Sequence, residues 1–143
     1  MTEAPLAAVV VAQLLAAARA VREHAYAPAS HFQVGAAVLA ADGRIFVGCN
    51  VENASYGLTV CAERHAVAAA VAAGVRSLRA CAVVTDLPEP GRPCGACRQV
   101  LAEFGPGQTV VLGGRDGAVV TTTLDRLLPD PFTFDDVARG RRP

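Results

Sequence analysis

The sequence predicts an α/β fold: a mixed sheet of five strands covered by helices on its faces. Two observations carry that expectation. Helical and strand-like segments alternate in the order helix, strand, strand, helix, strand, helix, strand, strand and a short helical end, separated by glycine, proline or polar turns. The 143 residues suffice for one core and offer no obvious place for a second, so residues 1–143 are expected to form a single domain.

Taken in order, Thr2, Glu3 and Pro5 make a helix start, and Leu6 to about His24 continues without a breaker. Tyr26-Ala27-Pro28-Ala29-Ser30 ends it. Phe32 to Ala40 reads as a largely buried strand, which Asp42-Gly43 turns into a second, Ile45 to Cys49. Asn50 to Val60 has neither helical nor strand periodicity but is dense in hydrogen-bonding side chains, as a binding loop would be. A helix from about Cys61 to Ala73 is stopped by Gly74, and Leu78 to Thr85 reads as a buried strand. The Pro-rich loop Asp86 to Pro93 delivers the chain into a helix from about Cys94 to Phe104, ended by Gly105. Val110 to Leu112 and Ala118 to Thr123 form two more strands around Gly113-Gly114-Arg115-Asp116-Gly117. No Gly-Lys-Ser/Thr follows that turn, so it reads as a hairpin and not a phosphate loop.

Composition narrows the function. Thirteen basic and thirteen acidic residues cancel, so no overall positive field gathers a polyphosphate chain. With no Trp and only 5% aromatic residues for stacking, small, weakly charged ligands are favoured over nucleic acid. The basic tail Arg139 to Pro143 reads as solvated. At 52% apolar and 18% charged, the chain is greasy for its size, and part of that surface is expected to meet another subunit. Residues 6–18 are apolar but fall short of a spanning helix, and the preceding MTEAP has an acid and no Lys or Arg. A cytoplasmic protein is expected, in which five reduced cysteines suggest metal or catalysis before disulfides.

Two segments carry chemistry: Cys61-Ala62-Glu63 and Pro93-Cys94-Gly95-Ala96-Cys97, each where the chain enters a helix. Helix N-termini stabilise thiolates, the form that binds metal. Soft donors suit zinc, and three protein ligands leave a fourth position for water, the mark of a catalytic site. Cys49 or Cys81 would complete a structural site instead, although both sit in apolar strand-like runs where a free cysteine is usually a core residue. Three thiolates on a divalent ion leave a net negative charge, which Arg64 and Arg98 are placed to offset by hydrogen bonds to the sulfurs; solvated helix arginines are the alternative. Glu63, two residues after the first sulfur, suits a proton shuttle beside the metal.

These residues match the three-cysteine form of the zinc deaminase pattern. The chain resembles the small homotetrameric cytidine deaminases over nearly its whole length. The resemblance rests on Phe32-Gln33-Val34-Gly35-Ala36-Ala37, Asn50-Val51-Glu52-Asn53-Ala54-Ser55-Tyr56-Gly57, Cys61-Ala62-Glu63-Arg64 and Pro93-Cys94-Gly95-Ala96-Cys97-Arg98-Gln99. It implies a three-layer α/β/α fold, one zinc per subunit, and hydrolytic deamination of free cytidine and deoxycytidine in pyrimidine salvage. By the same resemblance Asn50 and Glu52 hold the ribose, Phe32 packs on the pyrimidine, the Ala62 backbone faces the base edge and Glu63 also bonds N3. Tyr56 belongs to the nucleoside-binding loop, and Phe132 reaches into a neighbouring subunit's site. From sequence alone the plain core aromatic is the favoured reading of Phe32.

Two positions depart from the family pattern: Ala29 where Tyr is common, and His65 where Thr or Val is common. His65, four residues after Cys61, lies on the same helical face, as a packing residue, a partner to the metal site or a ligand. Three other readings compete, one of them a deaminase of another cytosine compound such as a nucleoside antibiotic, against which Asn50-Val51-Glu52-Asn53 argues for ordinary nucleosides. A thiol oxidoreductase would use Cys94-Gly95-Ala96-Cys97 but leaves Cys61-Ala62-Glu63 without work, and a zinc-stapled interaction module leaves Glu63 unexplained.

Overall fold

The computed structural model describes residues 4–141. Thr2 and Glu3 of the expected helix start, and Arg142 and Pro143 of the basic tail, lie outside the described residues. The chain runs α1 (Ala8–Arg22), β1 (Gly35–Ala40), β2 (Ile45–Cys49), a 3-10 turn (Tyr56–Leu58), α2 (Ala62–Ala72), β3 (Leu78–Val84), α3 (Gly95–Phe104), β4 (Thr109–Gly113), β5 (Val119–Thr123), α4 (Leu124–Leu127) and α5 (Phe134–Gly140). The five strands form one sheet in the order β2-β1-β3-β4-β5. Only β3 and β4 pair in parallel, joined through α3, as a parallel pair requires a crossover; the other pairs are antiparallel. The fold is therefore α/β with a mixed sheet, as the alternation of segments predicted. Among the described residues no helix is long and apolar enough to cross a membrane.

Strand β1 is buried along its whole length because both its faces are covered. Ala36, Val38 and Ala40 pack toward α2 and α3 with Ala66, Val67 and Leu101. Ala37 and Leu39 pack on the other face against Leu14 and Ala18 of α1. Small side chains in this inner strand bring both helical layers close to the sheet, so the loops at the β1–β3 end are placed by rigid elements beneath them. The expected strand from Phe32 is shorter than anticipated: Phe32, Gln33 and Val34 leave the ladder. Asn50 takes over there, its Oδ1 accepting from Val34 N at 2.8 Å and its Nδ2 donating to the Phe32 carbonyl at 2.8 Å.

Helix α2 lies tight against the sheet at Gly48. A Cβ there would stand 2.4 Å from Ala66 N and 2.5 Å from the Ala62 carbonyl, both backbone atoms of α2. Gly48→Ala is therefore expected to push α2 off β2 and destabilise the fold by about 2–3 kcal/mol, read as a lower midpoint in urea unfolding. An unchanged midpoint would show that α2 is not fixed at this contact.

Candidate active site

Cys61 is the N-cap of α2 and Cys94 the N-cap of α3, and neither uses its side chain to cap the helix. Cys97 lies one turn into α3 and is fully buried. The sulfurs of Cys61 and Cys94 are 3.9 Å apart, those of Cys94 and Cys97 3.5 Å, and all three lie within 4.8 Å of one another. Zinc–sulfur bonds of ~2.3 Å in a tetrahedron place sulfurs about 3.8 Å apart, so the donor set fits a single zinc ion. Among the described residues this is the one group of three or more such donors that converges. Hydrogen bonding from Cys97 pulls the Cys61 thiol down to about 5 against the opposing effect of burial, with Cys94 and Arg64 adding to the fall. Cys97 moves the other way, raised first by its hydrogen bond to Cys61 and then by burial. One thiolate is thus held in place by its neighbours before any metal arrives.

Glu63, in the first turn of α2, is only 4% exposed, and the Cys97 thiol donates to its Oε2 at 3.5 Å. Burial raises its carboxyl above the usual range, and the charge of Cys61 adds to the rise. Arg64 donates to the Thr59 carbonyl at 3.1 Å and also bonds and attracts Cys61, while its Nε is buried without a partner among the described residues. Arg98 stands differently from the expectation that it reaches a sulfur. Its guanidinium is committed to the carbonyls of Pro93, at 2.8 Å, and Leu127, at 2.7 Å, so it fixes the backbone leading into Cys94. Cys81 is fully buried in β3, with its thiol raised well above the ordinary value by burial, and like Cys49 it lies outside the converging group. His65 is not part of the converging group: its Nδ1 is 2.9 Å from the Cys49 carbonyl, which can only accept, so Nδ1 carries the proton. This bond ties α2 to the end of β2, one residue before Asn50.

A pocket of ≈ 350 Å³ opens over these groups, with Cys61, Glu63 and Cys94 on its lining. Phe32, Asn50, Glu52 and Ala62, all singled out in the sequence, share that lining. Glu52 Oε1 accepts from the amides of Ala29 and Ser30 at 2.9 and 3.1 Å. The Ser30 hydroxyl and amide hold its carboxyl below the usual range, so it is a charged acceptor. Ala62, at the first position of α2, has no intrahelical acceptor for its amide. Tyr56 and Phe132 are not on this lining: Tyr56 flanks a shallow recess beside Glu52, and Phe132 stands 66% exposed on the loop before α5. The opposite wall, made by Thr85, Leu87, Gly91 and Arg92, was not singled out in the sequence. Its signal was positional, since a loop that ends on a metal-binding cysteine must border the metal.

Comparison with known proteins gives a consistent answer. A family model described as "Cytidine and deoxycytidylate deaminase zinc-binding region" matches residues 8–113. A cytidine deaminase of Sporosarcina psychrophila is 50% identical over 129 residues, covering 90% of this chain and 95% of that protein. One from Mycobacterium tuberculosis is 48% identical over 118 residues, covering 82% and 86%. Among solved structures, a cytidine deaminase from Burkholderia pseudomallei superposes with a TM-score of 0.82 at 54% identity, covering 85% of this chain and 98% of that one.

Proposed function

The chain belongs to the family of zinc-dependent cytidine deaminases, and we propose that it converts free cytidine and deoxycytidine to uridine and deoxyuridine with release of ammonia, in pyrimidine salvage. One observation carries this reading. Three cysteine sulfurs at bonding distance for one ion and a buried carboxylate lie at one pocket whose mouth is set with an uncommitted carboxylate oxygen and an aromatic ring.

Cys61, Cys94 and Cys97 would hold the zinc ion. Bound there, zinc supplies a Lewis-acid centre that brings the pKa of water toward neutrality. Glu63 would take a first proton from the attacking water and pass it to ring N3, then take the second from the hydroxyl left on C4 and deliver it to the departing amine. Its raised carboxyl pKa keeps uptake and release of a proton close in free energy. The Ala62 amide faces the base edge and Phe32 covers the ring. Asn50 holds the 32–34 backbone with both ends of its amide, and its second N–H remains for a ribose hydroxyl. Glu52 has used one oxygen on Ala29 and Ser30, leaving Oε2 for the sugar. Arg64 offsets the negative charge of the sulfurs, and Arg98 acts on them through the Pro93 backbone.

A single domain spanning residues 1–143 works as a homotetramer with shared sites in this reading. The exposed side chains of Tyr56, Leu58, Phe132 and Phe134 supply apolar surface for subunit contacts, and Tyr56 and Phe132 complete nucleoside pockets across them. A cytoplasmic setting suits a site that needs reduced thiols. An ultraviolet assay on cytidine, deoxycytidine, cytosine and CMP is expected to show loss of absorbance with both nucleosides and little with the other two. Silence with both nucleosides, at about one zinc per chain, would overturn the substrate assignment. A sedimentation mass near that of one chain would overturn the tetramer.

A further inference from the structure

We infer that Arg22 and Asp86 are a positioning pair that fixes the width of the nucleoside pocket, although neither residue lines it. Arg22 ends α1, which packs on the sheet face opposite α2 and α3. It reaches the rim because Gly35 lets the helix approach: a Cβ at Gly35 would stand 1.9 Å from the Ala18 carbonyl and 2.8 Å from Arg22 Cβ. Gly35 pairs with Val84, so at this level β1 and β3 are still hydrogen-bonded neighbours. Beyond it the two chains separate like the tines of a fork. Phe32 and Val34 on one tine, and Thr85 and Leu87 on the other, wall the pocket.

The Arg22 guanidinium spans the fork. Its Nε donates to the Gln33 carbonyl at 3.0 Å, between the two pocket residues of the first tine. Its Nη2 meets Asp86 Oδ1 at 2.8 Å, between the two pocket residues of the second. Nη1 lies 3.6 Å from Glu23, a looser contact that leaves the other two to set the geometry. The Arg22 side chain is only 15% exposed and planar, so a change in the gap between tines must stretch one of two directed bonds. The zinc sulfurs and Glu63 stand on α2 and α3, which the pair does not touch, so it governs where the nucleoside sits and not the chemical step.

This inference rests on the nucleoside reading of the pocket. The test measures kcat, KM for cytidine, zinc content and thermal midpoint for Asp86→Asn, Arg22→Lys and the parent, at low and high salt. Asp86→Asn changes a half-exposed loop side chain to one of the same shape, so it is expected to fold and keep its zinc. Its KM is expected to rise roughly three- to tenfold with kcat within about twofold of the parent, and Arg22→Lys, which keeps the charge but loses the fork, is expected to show the same split. Cytidine is uncharged, so salt acts on KM through the protein's own charges. The parent KM should rise with salt and that of Asp86→Asn should rise less. An unchanged KM in both variants, or kcat and zinc content falling together with the midpoint, would overturn the inference by showing that the pair does nothing or merely holds the fold. Absence of turnover in the parent would sink the nucleoside reading and this inference with it.

Discussion

Glu63→Gln is expected to lower kcat by roughly 10³- to 10⁴-fold while leaving the fold and about one zinc per chain in place. The amide has the volume of the carboxylate, and its N–H can donate to Cys97 Sγ where that sulfur is a thiolate on the metal, so the packing of α2 on the sheet survives. What is lost is a group that binds and releases a proton, and the reaction needs that twice: toward N3 and toward the leaving amine. Metal-free protein gives an independent reading. Burial raises the folded carboxyl above its unfolded value, so Glu63 contributes stability that is fully present below the unfolded pKa and lost as pH rises through the folded one. The glutamine variant cannot ionise, so without metal at neutral pH it should melt at the same or a higher temperature than the parent. Near-normal turnover in a zinc-loaded variant would refute the proton-carrying role. A lower melting point would refute the burial argument.

The parts of this site that were legible in the sequence are those fixed by short stretches of chain. Cys94 and Cys97 share one helical turn, and Cys61 and Glu63 share another, so their residue types and spacing already describe an acidic group beside a sulfur cluster. Strand β1 was legible as buried, but not where it begins. That depends on Asn50, sixteen residues later, taking the Val34 amide out of the ladder. Arg98 shows the opposite limit. Its place after Cys97 suggested a bond to sulfur, yet a helix turn faces it toward Pro93 and Leu127, a contact that exists only once α4 has docked. His65 was ambiguous for a similar reason: its partner is the Cys49 carbonyl, a backbone atom that no side-chain pattern advertises. The wall from Thr85 to Arg92 carries no periodicity, and only the sheet order sets it across from Phe32.

Cys97→Ala is expected to abolish both bound zinc and detectable turnover, and to do so for a local reason. Losing a ligand weakens zinc by more than the about 10- to 100-fold that loss of an outer partner costs, because two sulfurs cannot define a tetrahedral site with one open position. Cys97 is also the donor that holds Cys61 as a thiolate, and its sulfur lies 3.5 Å from Glu63 Oε2, so its removal lets the Cys61 thiol rise from about 5 and takes a neighbour from the carboxylate. Cys81→Ala separates this effect from thiol content in general. Its sulfur is as buried as that of Cys97 but lies outside the converging group, and its loss should lower stability by about 1 kcal/mol with zinc and kcat intact. Metal analysis after gel filtration, paired with the ultraviolet assay, decides between them. About one zinc per chain in Cys97→Ala would sink the three-sulfur site, and zinc loss in Cys81→Ala would move the ligand set into the core of β3. Between those outcomes lies the physical distinction that makes the site: of two equally buried sulfurs, only the one at a helix start converges with those of Cys61 and Cys94.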